Sequence, residues 1–113
     1  MNIDSGHYES AVNVSQRVSS NVTLPCIISG DDSISWLYID FDTGQQIKIY
    51  GNDRITNTYE GKFHAVADPA TGNYSLILSN AEMNDSGWYV CISESGRIIT
   101  NQYIINLLVS GEK

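Results

Sequence analysis

An all-β fold is what this sequence predicts, and three observations carry the prediction. Segments rich in Val, Ile, Tyr and Thr alternate apolar with polar residues and are interrupted roughly every ten residues by Gly, Asn and Asp clusters. Two cysteines, Cys26 and Cys91, enclose Trp36. The second cysteine closes the run Asp85-Ser86-Gly87-Trp88-Tyr89-Val90-Cys91. At 113 residues the chain has room for one core and not for two. Residues 1–110 are expected to form a single domain, with 111–113 beginning a stalk or linker.

Val22, Leu24, Cys26 and Ile28 share one parity and Thr23 takes the other, so the first strand turns one face to a core. Ile34, Trp36 and Tyr38 repeat the pattern after a turn at 29–32. A third strand at 45–50 follows the turn at 42–44, and Gly51-Asn52-Asp53 ends it. Short edge strands are expected at 54–59 and 62–68, the latter with Phe63 inward. Pro69-Ala70-Thr71-Gly72 is a turn. Beyond it Tyr74, Leu76 and Leu78 alternate inward, and 81–85 makes a helical turn. The last strand, 98–109, turns Ile105, Leu107 and Val109 to the core.

Charge and targeting signals narrow the class of protein. A net charge of -7 disfavours nucleic acid and anionic membrane surfaces, because phosphates would be repelled rather than stripped of their counterions. No run reaches the length of about 18 apolar residues needed to span a bilayer, and the start lacks a signal peptide's basic and apolar stretches. The expectation is a mature ectodomain fragment whose membrane anchor lies outside it. Two cysteines alone do not establish oxidation, since free cysteine is an ordinary core residue. Four Asn-x-Ser/Thr sequons, at Asn13, Asn21, Asn73 and Asn84, together with the cysteine spacing favour an oxidising, extracellular compartment.

With these residues in view, the chain resembles a V-set immunoglobulin domain of the leukocyte cell-surface receptor type over nearly its whole length. Cys26 corresponds to the B-strand cysteine, Trp36 to the C-strand tryptophan, and Asp85, Gly87, Tyr89 and Cys91 to the F-strand Asp-x-Gly-x-Tyr-x-Cys motif. The resemblance implies an immunoglobulin-like antiparallel β-sandwich of V type with Greek-key connections and extra C′ and C″ strands. It also implies a disulfide between Cys26 and Cys91, with Trp36 packed on it. A basic residue opening strand D pairs with the motif aspartate in this family, and Lys62 and Asp85 stand in those places. Lysine makes the weaker pair, because its ammonium forms no bidentate contact.

Departures from relatives are equally informative. The region 96–103 lacks the Phe-Gly-x-Gly joining segment of rearranged antigen receptors, which favours a germline-encoded surface receptor or adhesion molecule. Asp-Ser-Gly-Trp-Tyr also looks like the F strand of polymeric-immunoglobulin-receptor-like proteins, which usually carry a further disulfide that two cysteines do not permit. Sialic-acid-binding members need an F-strand arginine, where this chain has Trp88, Val90 and Ile92.

Alternation also assigns candidate binding residues. If Trp36, Tyr89 and Cys91 point inward, then Leu37, Ile39, Val90 and Ile92 face outward on the GFCC′ sheet. Joined by Ile47, Tyr50 and Ile104, they would form a contiguous apolar patch of the kind that marks an interaction site. Loops 29–33, 51–54 and 94–97 gather at one end, with Arg97 near the tip of the last hairpin and Asp31, Asp32 and Asp53 making that end acidic. Trp88 covers the sheet edge or serves as an exposed anchor.

Catalytic and metal readings are poor. The chain has no Gly-x-Ser-x-Gly elbow, no His-Glu-x-x-His and no phosphate-cradling loop, and its two histidines, His7 and His64, have no nucleophile to serve. Asp31, Asp32, Asp40 and Asp42 lack calcium-loop spacing. The expectation is therefore a non-enzyme without cofactor or metal: a ligand-binding domain of a cell-surface immune receptor that recognises a protein partner through the GFCC′ sheet. A homodimerising adhesion domain using the same sheet, or a soluble or pathogen-encoded decoy, is the alternative.

Overall fold

The computed structural model describes residues 11–30 and 32–111. His7 and Asp31 lie outside these, as do Glu112 and Lys113 of the expected stalk. Among the described residues nine strands run in chain order: β1 Val12–Arg17, β2 Val22–Leu24, β3 Ser33–Ile39, β4 Gln46–Gly51, β5 Arg54–Ile55, β6 Phe63–Ala65, β7 Leu76–Leu78, β8 Gly87–Ser95 and β9 Ile98–Ser110. They form a six-stranded sheet in the order β1-β9-β8-β3-β4-β5 and a three-stranded sheet in the order β2-β7-β6. The two sheets enclose a core to which both contribute. Val22, Leu24, Leu76 and Leu78 come from one sheet, and Trp36, Tyr89, Cys91, Ile105, Leu107 and Val109 from the other.

Cys26 and Cys91 are bonded across this core with their Cα atoms 6.4 Å apart. Trp36, which faces Cys91 in the β3–β8 register, is fully buried. Its indole Nε1 donates to the Tyr74 carbonyl at 2.7 Å, so the one polar atom of the side chain is satisfied inside the apolar layer. The Tyr89 hydroxyl donates back to the Asp85 carbonyl at 2.6 Å and fixes the corner where the chain enters β8. Glycine is required at that entry: a Cβ on Gly87 would clash with the Tyr38 ring and lie 2.9 Å from the Ile39 carbonyl oxygen. Lys62 Nζ lies 2.9 Å from Asp85 Oδ2 and 3.2 Å from Glu82 Oε2. The single ammonium therefore meets two carboxylates instead of the one expected partner.

Three local features depart from the sequence expectation. β1, for which no strand was expected, pairs in parallel with β9 from Val12↔Ile105 to Arg17↔Ser110. The remaining strand pairs among the described residues are antiparallel. The edge strand expected at 54–59 is reduced to two residues, Arg54–Ile55, which follow a two-residue hairpin turn in which Asn52 and Asp53 both adopt positive φ (52° and 64°). After Ile55 the backbone N–H of Thr56 returns to the Ile49 carbonyl and a 3-10 turn follows at Asn57–Tyr59. The second edge strand spans only Phe63–Ala65 of the expected 62–68.

Candidate interaction face

The outer face of the six-stranded sheet is built by register. Opposite residues in an antiparallel ladder point to the same side, so Leu37↔Val90, Ile39↔Trp88, Val90↔Ile104 and Ile92↔Gln102 set their side chains together, away from the disulfide. Ile39, Val90 and Ile104 form an apolar cluster separate from the main core, with Leu37 and Ile92 packed against it. The expected outward parity of Leu37, Ile39, Val90 and Ile92 is what the register shows. Their expected exposure is not uniform: Ile39, Val90 and Ile104 are buried, and Leu37 and Ile92 remain partly accessible.

Ile47 and Tyr50 correct the expectation. Register passes from Trp36↔Tyr50 to Leu37↔Lys48, so Ile49 is an extra residue on β4, a bulge. Ile49 and Tyr50 consequently both turn into the main core, and Tyr50 is 2% exposed. Ile47 lies opposite the inward-facing Tyr38 and is half-buried at a cavity between the sheets. The outer face of β4 instead carries the exposed Gln46 and Lys48. The apolar patch therefore belongs to β3, β8 and β9, and the expected members Ile47 and Tyr50 are not on it.

An exposed aromatic pair is present elsewhere on this face. Trp88, 41% exposed, meets Phe41 of the β3–β4 connection edge-on, ring centroids 5.5 Å apart. Exposed Leu108 continues the same parity on β9. Phe41 escaped sequence reasoning because it sits in a turn, where alternation says nothing. The signal available was a large aromatic flanked by Asp40 and Asp42. Gln102 is a second residue missed: it is 7% exposed, and its Nε2 has no hydrogen-bond partner among the described residues.

The three expected loops do converge. Gly30, Asp32, Asn52, Asp53, Glu94 and Gly96 border one hollow of about 510 Å3. Asp32 is held there by Thr100, whose hydroxyl lies 2.6 Å from Asp32 Oδ2 and 2.7 Å from Ser93 Oγ. Arg97 is exposed on the hairpin beside it. Among the described residues no group of His, Cys, Asp and Glu is arranged to hold a metal ion.

The four sequons occupy different surroundings. Asn13 is exposed on β1 opposite Asn106, whose Nδ2 donates to Asn13 Oδ1 at 3.1 Å, which places this sequon on the outer face. Asn21 is exposed and accepts from Asn80 N at 3.0 Å. Asn73 is half-buried and accepts from the backbone and hydroxyl of Ser75, the third residue of its own sequon. Asn84 is exposed in the 3-10 turn Met83–Asp85.

Comparison with known families decides the assignment suggested by this geometry, since residues 8–110 match the Immunoglobulin V-set domain. The chain belongs to the immunoglobulin V-set family. This V-set domain is also similar to the human protein named "Putative butyrophilin subfamily 2 member A3", at 28% identity over 102 residues. The match covers 83% of the chain and 17% of that relative, so the V-set domain spans a small fraction of the protein it resembles.

Buried and half-buried phenols set the alkaline behaviour of the V-set domain. Burial holds the Tyr38, Tyr50 and Tyr89 hydroxyls above their ordinary values, reinforced by Asp40 and Asp85 at Tyr38, by Asp53 at Tyr50 and by Asp85 at Tyr89. Burial alone would lower Lys62, but its hydrogen bonds to Asp85 and Glu82 outweigh that and hold it up. A group raised in the folded state contributes stability that is complete below its unfolded value and is lost as pH rises through the folded value. All four groups act in this direction, so stability is expected to decline above about pH 10. Tyrosinate absorbance measured alongside circular dichroism checks this: Tyr50 and Tyr89, the two fully buried phenols, should ionise only as the β signal is lost. Their ionisation in folded protein would contradict the assignment.

Proposed function

We propose that this V-set domain is the extracellular ligand-binding domain of a cell-surface immune receptor or co-receptor, recognising a protein partner through the outer face of β3, β8 and β9 and the adjoining loops. The observation that carries the reading is the second apolar cluster, Ile39, Val90 and Ile104 with Leu37 and Ile92, on the side of the sheet away from the core. Contiguous exposed apolar surface marks interaction sites, and here the accessible Leu37 and Ile92 over this cluster are continued by the exposed Trp88–Phe41 pair. Likeness to a butyrophilin supports the receptor class. The carboxylates of Asp32, Asp53 and Glu94 around the loop hollow favour a partner that is basic where it meets that end. The domain works as a recognition module and not as an enzyme, and a membrane anchor lies in another part of the full protein.

The test is staining of leukocytes with a fluorescent tetramer of the domain, wild type against Leu37→Asp and Ile92→Asp. Each substitution places a charge in the apolar patch without entering the main core. Each is expected to weaken staining at least roughly tenfold, the cost of leaving a charge unpaired in an interface, with little change in melting temperature. Undiminished staining by both variants would overturn the reading. Sedimentation at rising concentration separates a heterologous partner from a second copy of the domain on the same face.

A further inference from the structure

Away from the outer face, between the two sheets, four aromatic side chains, Tyr38, Tyr59, Phe63 and Tyr89, line a partly open cavity of about 180 Å3. Ile47, Ile49 and Asn84 complete the lining with Asp85, and each ring meets its neighbour at an angle. Tyr38 and Tyr89 are tilted 55° with centroids 5.1 Å apart, Phe63 and Tyr89 are tilted 50° at 6.2 Å, and Tyr59 meets Phe63 at 80° and 6.2 Å. The hydroxyls of Tyr38 and Tyr89 are engaged elsewhere, donating to the carbonyls of Ser86 at 2.7 Å and Asp85 at 2.6 Å. What these two side chains offer the cavity is therefore ring carbon.

The local charge is negative. Asp85 borders the cavity, and the nearby Lys62 ammonium is shared between Asp85 and Glu82, leaving one carboxylate charge in excess. Asp40 and Asp42 lie close enough to add to the field at Tyr38. Aromatic faces carry the negative side of a quadrupole, and a weakly hydrated cation among several of them is stabilised without needing a hydrogen bond. The size sets a limit too: 180 Å3 falls below the roughly 300–1,000 Å3 of pockets that take drug-sized ligands, so only a compact group enters.

From these observations we propose that the cavity is a binding site for a compact quaternary ammonium group, the trimethylammonium head of choline being the type. The same chemistry occurs in free choline and in a phosphatidylcholine headgroup. The proposal stands apart from the partner-binding face: no residue of the cage belongs to that face's apolar cluster.

The decisive experiment titrates the domain, followed by nuclear magnetic resonance, with choline and with its neutral isostere in which carbon replaces the nitrogen. Choline is expected to shift the ring resonances of Tyr59 and Phe63 saturably and to bind roughly tenfold more tightly than the isostere, the contribution of the cation over shape alone. Tyr59→Leu, a half-buried position, should weaken choline binding by a similar factor. If the isostere binds as tightly as choline, the cavity is merely apolar and the proposal fails. It fails equally if choline moves no resonance of the four rings. Both comparisons with choline use the unaltered protein, so they stand even if Tyr59→Leu does not fold. Co-sedimentation with phosphatidylcholine vesicles, added to choline binding, identifies the headgroup as the source, and its absence identifies the free cation.

Discussion

Replacing Cys26 and Cys91 together by alanine is expected to lower unfolding stability by about 4 kcal/mol. The bond closes a loop of 65 residues, and the chain-entropy cost that it removes from the unfolded state grows with the logarithm of that length. Small domains have about 5–15 kcal/mol in total, so the reduced domain should be largely unfolded at body temperature or close to it. Urea titration of the double variant, with the slope compared to wild type, is the measurement. A midpoint within experimental error of wild type would mean that sheet packing alone holds the sandwich closed. The receptor-type surface assigned above would then not depend on an oxidising compartment.

Trp36→Ala is expected to cost about 3–5 kcal/mol, the usual range for deleting a fully buried large aromatic. The site has little freedom to collapse, since the indole lies against Cys91 and Tyr50 in register and its Nε1 is tied to the Tyr74 carbonyl. Trp36→Phe separates the two contributions. It keeps most of the apolar contact but leaves the Tyr74 carbonyl unpaired in the core, at a cost of about 1–3 kcal/mol. Equal losses for the two substitutions would show that the hydrogen bond, not volume, dominates. A smaller loss for phenylalanine, which is the expected result, assigns the larger share to packing.

The sandwich and its inner layer were legible in the sequence because strict alternation in β2, β3, β7 and β9 leaves little choice of face. The motif from Asp85 to Cys91 fixed which side of β8 looks inward. The outward set on β3 and β8 followed from the same parity and appears in the register. What alternation could not supply was the behaviour of β4. A single extra residue, Ile49, moved Tyr50 from the expected surface into the core, and bulges have no signature in apolar periodicity. Parity also does not report burial among neighbours, so Val90 faces outward and is nonetheless 2% exposed. Strand β1 was missed because its residues are largely exposed and its partner lies about ninety positions away in the chain. The Phe41–Trp88 pair and the aromatic cavity join residues from separate elements, and only the folded arrangement brings them together.

The parallel ladder between β1 and β9 has a mechanical consequence. Both strands run the same way from Val12↔Ile105 to Arg17↔Ser110, so opposing tension applied through the start of β1 and the end of β9 acts along the ladder. The hydrogen bonds are then loaded in shear and must yield together, whereas a hairpin pulled apart at its open end would unzip bond by bond. A V-set domain loaded in this direction would be clamped shut by the first and last of its described strands.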